Sequence, residues 1–159
     1  MPFGCEIRML FGWHDGTAHG RGLSATTSLI LGFWLLSVED ALAACELMSA
    51  LERASRAGLR DSPRWDSRWL PILSNGIGDL WFLDLRPGSS ACVVEYLHDN
   101  PDTNAVLFKD LASFIEAYAD AVEDGLLIVD PDFGVRPKSW PEWSAHCARY
   151  CSAAQKSES

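Results

Sequence analysis

The stretch Trp69–Asp84 constrains the fold more than any other part of this chain. It reads Trp-Leu-Pro-Ile-Leu-Ser, then Asn75-Gly76-Ile-Gly-Asp79, then Leu-Trp-Phe-Leu-Asp84. Two apolar runs flank a turn-prone Asn-Gly, and the second run leads through Arg86-Pro87-Gly88-Ser89 into a third. That pattern specifies a β-meander. If Arg86–Ser90 is the loop, Leu85 faces Ala91, Trp81 lies opposite Glu95, and Asp84 lies opposite Cys92. Side chains alternate across a strand. Trp81, Leu83, Val93 and Glu95 then share one face, and Phe82, Asp84, Val94 and Tyr96 share the other. Both faces are largely apolar. Either helices cover both, or one face carries an exposed aromatic patch with acidic neighbours, which would suit a protein interface.

Helical periodicity fills the rest. Cys5–His14 reads as a short helix with Ile7, Leu10, Phe11 and His14 on one face and Gly16 at its end. Thr17–Ser28 is a small, polar loop and Phe33–Leu36 a short strand. Ser37-Val-Glu-Asp40 has capping-box spacing. The helix it opens carries a stripe of Val38, Ala41, Leu42, Cys45, Met48 and Leu51, closed by Gly58. A polar connector, Arg60–Arg68, contains Pro63 and Trp65. Strands are expected over Trp69–Leu73, Leu80–Leu85, Ala91–His98 and Ala105–Phe108. Asp110 caps the next helix, with Leu111, Phe114, Ile115, Tyr118 and Val122 as its stripe and Gly125 as its stop. Leu126–Val129 is a further strand. Trp140–Ala153 is a last helix, with Ser139 as cap and Pro141 in the first turn. The expectation is one α+β domain over 1–159, with a mainly antiparallel central sheet flanked by helices. Its core spans about 6–124, and a strand and helix extend it over about 125–153.

Composition narrows the function. Hydrophobic residues make up 48% of the chain and charged residues 22%, which is globular. The formal charge is -9, from 13 Lys+Arg against 22 Asp+Glu. So acidic a chain is poorly suited to nucleic acid, which is bound by neutralising phosphates, and is steered toward basic partners. The 5 cysteines are an odd count, and most lie in apolar periodic segments, so they read as packed thiols rather than a disulfide framework. The longest apolar run, Leu29–Leu36, is too short to span a bilayer, and the N-terminus does not read as a signal peptide. These features point to a cytoplasmic protein.

Several motifs in chain order resemble the SUKH superfamily, the Smi–Knr-like domain. Met9-Leu-Phe-Gly-Trp-His-Asp-Gly16 is similar to its helix ending in an Asp-Gly turn. Leu29-Ile-Leu-Gly-Phe-Trp-Leu-Leu-Ser37 running into Val38-Glu-Asp-Ala-Leu42 is similar to its strand entering an acidic helix. Trp69-Leu-Pro71, Asn75-Gly76, Gly78-Asp79 and Leu83-Asp-Leu85 are similar to its central hairpin, and Val94–Asp99 with Phe108–Glu123 to its later strand and helix. The likeness covers Glu6 to about Asp124. Two features depart from the pattern: the family often has proline where this chain has Leu31, and members usually carry another helix before the one at Glu6. The resemblance implies binding rather than catalysis. Bacterial members are inferred to be immunity proteins that neutralise toxins, often nucleases or deaminases. Fungal members resemble regulators of cell-wall assembly.

Chemical constellations are weak beside this. His98, Asp99 and Asp102 could ligate a metal or form an acid–base pair, but a strand end entering an Asp-Asn-Pro turn explains them. His14-Asp15 precedes a helix-ending glycine. Cys147 and Cys151 share a helical face near His146, without a second cluster to complete a zinc site. Asn75-Gly-Ile-Gly78 lacks the Lys-Ser/Thr of a phosphate loop. There is no Gly-x-Ser-x-Gly elbow. No catalytic residue, metal ligand or cofactor is therefore assigned. The expected function is non-enzymatic protein binding: an immunity protein for a nuclease- or deaminase-type toxin, with an intracellular regulatory scaffold as the alternative. The partner is a protein, with a basic toxin domain as the leading candidate, and neither nucleic acid nor membrane. The expected binding residues are Asp79, Trp81, Asp84, Glu95 and Asp99, on a monomer or weak homodimer.

Overall fold

The computed structural model describes residues 4–17, 28–58, 65–100, 103–132 and 134–151. The order of elements is α1 (Gly4–Trp13), β1 (Trp34–Leu35), α2 (Val38–Arg56), β2 (Trp69–Ser74), β3 (Leu80–Asp84), β4 (Val93–Tyr96), β5 (Ala105–Phe108), α3 (Leu111–Glu123), β6 (Leu127–Asp130), β7 (Gly134–Pro137) and α4 (Trp140–Cys151). Strands β1 to β5 form a five-stranded sheet in chain order, every pair antiparallel. The fold is α+β, and the meander has the expected register. Trp81 stands opposite Glu95 and Leu83 opposite Val93. The Asp84 amide donates to the Cys92 carbonyl at 3.0 Å. Most of the loop Thr17–Ser28 and of the connector Arg60–Arg68 lies outside the described residues.

Both faces of the sheet are covered. On one face Trp81, Leu83 and Val93 pack with Leu10 of α1, with Phe114, Ala117 and Ala121 of α3, and with Trp143 of α4. On the other, Phe82, Val94 and Tyr96 pack with Met48 of α2 and with Trp65 and Trp69. Phe82 stacks on Trp69 at 4.4 Å between centroids, and Trp65 meets Trp69, Phe82 and Tyr96 edge-on. Trp65 Nε1, Trp69 Nε1 and Tyr96 Oη have no hydrogen-bond partner among the described residues, so ring packing holds this cluster together. Of the two arrangements the meander pattern left open, the structure takes two-sided burial.

The helix starts follow from capping. Ser37 Oγ accepts from the Asp40 amide at 3.0 Å and donates to Asp40 Oδ2 at 2.7 Å. Asp15 Oδ1 takes the next free amide, that of Val38, at 2.9 Å. A Cβ on Gly16 would lie 2.4 Å from the Ser37 nitrogen, so only glycine lets the two backbones approach. The His-Asp-Gly motif is therefore a joint between α1 and α2. Asp110 Oδ1 caps α3 through the Ser113 amide at 2.7 Å.

Several expectations change, among them the strand expected over Ala91–His98, which is Val93–Tyr96, because Ala91 has φ +53. In α2, Val38 and Leu42 are 43% and 56% exposed. The helix instead meets the sheet along Ala41, Cys45 and Met48, with Cys45 Sγ at 3.6 Å from the Trp69 carbonyl. In α3, Ile115 and Val122 are 47% and 53% exposed, while Ala117 and Ala121 are fully buried. Small residues at those two positions allow close packing, and His146 Nε2 of α4 reaches the Ala117 carbonyl at 2.8 Å. Finally, the strand expected over Leu126–Val129 is β6, one residue later, and it pairs with β7 in a second sheet.

Leu31 has φ +55 and donates its amide to the Val135 carbonyl at 2.8 Å. Proline, with φ near -65° and no N–H, fits neither condition. The departure from the family pattern at this residue is thus tied to how the second sheet docks.

Phe82 tests the two-sided core. Phe82→Ala is expected to cost about 3–5 kcal/mol in urea unfolding, whereas Ile77→Ala in the exposed turn stays within about 0.5 kcal/mol. A loss below about 1 kcal/mol for Phe82→Ala would contradict this packing.

Candidate functional site: the charged ends of the meander

With both faces covered, the sheet presents its charged groups at its two ends. The first end is the β2–β3 turn. Asn75 Oδ1 accepts from the amides of Ile77 and Asp79 at 3.0 and 3.1 Å, which shapes the turn. Asn75 Nδ2 donates to Asp79 Oδ2 at 2.7 Å. Asp79 Oδ1 in turn accepts from the His98 amide at 3.0 Å and from His98 Nδ1 at 2.8 Å. Asp79 therefore ties the β2–β3 turn to the end of β4. Gly78 belongs to this lock: its φ is +119, and a Cβ there would stand 3.0 Å from the His98 ring. Asp99 is exposed beside the pair.

The electrostatics follow the bonds. Burial alone would raise the Asp79 pKa, but the bonds from the His98 side chain and amide and from Asn75 outweigh it and lower the value. The hydrogen bond to Asp79 raises that of His98. One ligand atom from each of Asp79, His98 and Asp99 lies within 4.8 Å of the others, a spacing that could meet one cation. Both Asp79 oxygens and His98 Nδ1 already serve the turn, so the arrangement reads as a structural lock with an acidic rim.

The five expected binding residues do not form one patch. Asp79 and Asp99 sit together at the turn end. Trp81 is 3% exposed and lies in the core, where its Nε1 donates to Glu95 Oε1 at 3.2 Å. It fixes the half-buried Glu95 from beneath rather than presenting a ring to solvent. Asp84 is 4% exposed and faces the opposite side of the sheet. Five steps along β3 separate it from Asp79, roughly 17 Å. Burial would raise the Asp84 pKa, but the bonds from Arg86, with Nη2 at 2.6 Å from Oδ2, lower it. Asp84 is thus a paired, buried acid. The Asp84-Leu-Arg86 spacing in the sequence was the available sign of that pairing.

The cysteine and histidine candidates are equally structural. Cys45, Cys92, Cys147 and Cys151 are free and half-buried. Burial pushes the Cys147 thiol up to about 12, with Cys151 adding to the shift. Cys151 Sγ contacts the Leu107 carbonyl. His146 is buried, its Nε2 on the Ala117 carbonyl and its Nδ1 against Arg149.

A covered antiparallel meander with charged ends defines an α+β domain. Residues 6–117 match the SMI1 / KNR4 family (SUKH-1), and the chain belongs to that family. Domains of this family generally bind protein partners and are generally not enzymes. No individual curated protein matches the chain. The match ends within α3, so β6, β7 and α4 lie beyond it. None of the described helices is long and apolar enough to cross a membrane.

The Asp79–His98 pair has a pH signature. The raised pKa of His98 makes its contribution fully present below 6.5, its ordinary value, and lost as pH rises through the folded-state value. The lowered pKa of Asp79 makes its contribution present above 3.8 and lost as pH falls through the folded-state value. The stability gap between wild type and His98→Gln is therefore expected to be larger at a mildly acidic pH, between those two values, than at an alkaline one. Chemical denaturation at both checks it, and a gap independent of pH would refute the lock.

Proposed function

We propose that this chain is a non-enzymatic immunity protein that neutralises a nuclease- or deaminase-type toxin by covering its substrate-binding surface. The observation that carries the reading is the acidic turn end, held rigid by Asp79 and His98 on a chain of net charge -9. A toxin that holds nucleic acid offers basic groups, and this end complements them. Asp99, Asp79 and Glu95 are the contacting acids, with Trp81 supporting Glu95 and Asp84 serving the fold. Steering by exposed acids acts on the association rate and weakens with salt, over a Debye length of about 8 Å at physiological ionic strength. With a verified toxin partner, Asp99→Lys combined with Glu95→Gln is expected to slow association about tenfold at low salt and to flatten its salt dependence. The glutamine keeps an acceptor for Trp81. Unchanged stopped-flow kinetics would contradict this placement.

We further propose that the chain forms one domain, with the segment over about 125–153 integral to the core over about 6–124. The support is the contact of Trp143, His146 and Tyr150 with α3 and β5. Removing residues 126–159 would uncover Ala117, Ala121 and Phe114. The shortened chain is expected to lose cooperative unfolding in calorimetry. An unchanged transition would show the segment to be an appendage.

A further inference from the structure

The end of the meander opposite the acidic turn has the reverse character. Arg53, Arg56 and Arg68 line one cleft with Trp65, between the last turns of α2 and the start of β2. Arg68 also lines a second cleft with Arg86, against the β3–β4 loop. The two clefts meet at Arg68, so one arginine-lined surface runs across this end of a chain whose formal charge is -9.

The charges here are layered. Arg56 is 76% exposed over Glu52 at 16%, Arg68 55% over Asp66 at 23%, and Arg86 47% over Asp84 at 5%. The carboxylates lie inward and the guanidinium groups outward. Each acid therefore orients its arginine while leaving the positive group at the surface. Arg68 and Arg86 spend Nε and Nη2 on these bonds, and Arg56 spends Nε. A guanidinium has five N–H donors, so each keeps donors for a ligand. Arg53 has no ion pair among the described residues. The Arg86 guanidinium also rests over the Trp69 ring at 5.5 Å, which stiffens it. Orienting the side chains beforehand lowers the ordering cost of binding.

The geometry points to a second docking surface, formed by Arg53, Arg56, Arg68 and Arg86, for a short acidic segment of a protein partner. The planar guanidinium fork matches carboxylates in pairs. A polynucleotide shares the negative charge but not the fit. Duplex nucleic acid carries one charge per about 1.7 Å, and a strand running past the clefts would lie against a chain of formal charge -9. A few Asp or Glu residues end inside the clefts. This surface goes beyond the immunity reading and is independent of it, because Asp99 and Glu95 belong to the other end.

The test is fluorescence anisotropy of the full chain with a short labelled oligoglutamate peptide, at low and physiological salt. Saturable binding is expected, weakened about tenfold by Arg53→Glu and less by Arg53→Gln, and unchanged by Lys109→Glu. Arg53→Glu breaks no ion pair among the described residues, and an unchanged melting curve confirms its integrity. Arg68→Gln is the second variant and weakens the peptide as well. Lack of binding, or equal binding by Arg53→Glu and Lys109→Glu, would overturn the proposal. Tighter binding of oligothymidylate than of oligoglutamate would overturn it in favour of a nucleic-acid surface.

Discussion

The structure depends on the pairing of β3 with a neighbour on each side. Leu80–Asp84 is buried at every position, and its side chains alternate into two cores. A slip of one residue would drive Asp84 into the Trp81 core and Trp81 into the ring cluster of Trp65 and Trp69. Each face therefore enforces the register demanded by the other. The helices are consequences of this arrangement. α2 must cover the ring cluster and α3 must cover Trp81, which sets where Ala41, Ala117 and Ala121 have to be small.

Covering both faces leaves the charged groups of the meander toward the ends of the sheet. The strand direction then separates the charges. Antiparallel strands bring the β2–β3 turn beside the end of β4, so Asp79, His98 and Asp99 gather there. The same geometry sends Asp84 and Arg86 to the other end, beside Arg68. One end is an acidic rim fixed by a histidine. The other is a row of arginines fixed by acids beneath them. Among the described residues, Asp79, His98, Asp84 and Asp110 are engaged in turns, caps and pairs. That distribution agrees with a family whose members generally bind proteins.

How much could be read from the residues follows from the range of the interactions. Strand alternation and the Asn75-Gly76 turn are local, so the meander, its register and the Ser37 and Asp110 caps were legible. Burial of whole faces depends on what packs from elsewhere. Val38, Leu42, Ile115 and Val122 have helical spacing appropriate to a core, yet the sheet accepts the alanine-lined face in both helices. The β6–β7 hairpin was half read, because the short Gly134–Pro137 strand has weak strand character and contains a proline at its end. Solvent exposure of the expected binding residues was the least legible. Trp81 and Asp84 look like anchors as letters, but the first is a core ring and the second is neutralised two residues away by Arg86. The arginine surface joins the end of α2, the start of β2 and a loop, and only the folded chain brings these together.

The most direct measurement is capture from source-cell lysate with the tagged chain, wild type beside the Asp99→Lys, Glu95→Gln variant, washed at low and moderate salt and read by mass spectrometry. One dominant partner with a basic nuclease- or deaminase-type domain is expected, retained by the wild type at moderate salt and captured less by the variant at low salt. A dominant partner held equally by both proteins would contradict binding through the acidic end. Several partners, all released by salt, would contradict the immunity reading in favour of a regulatory scaffold.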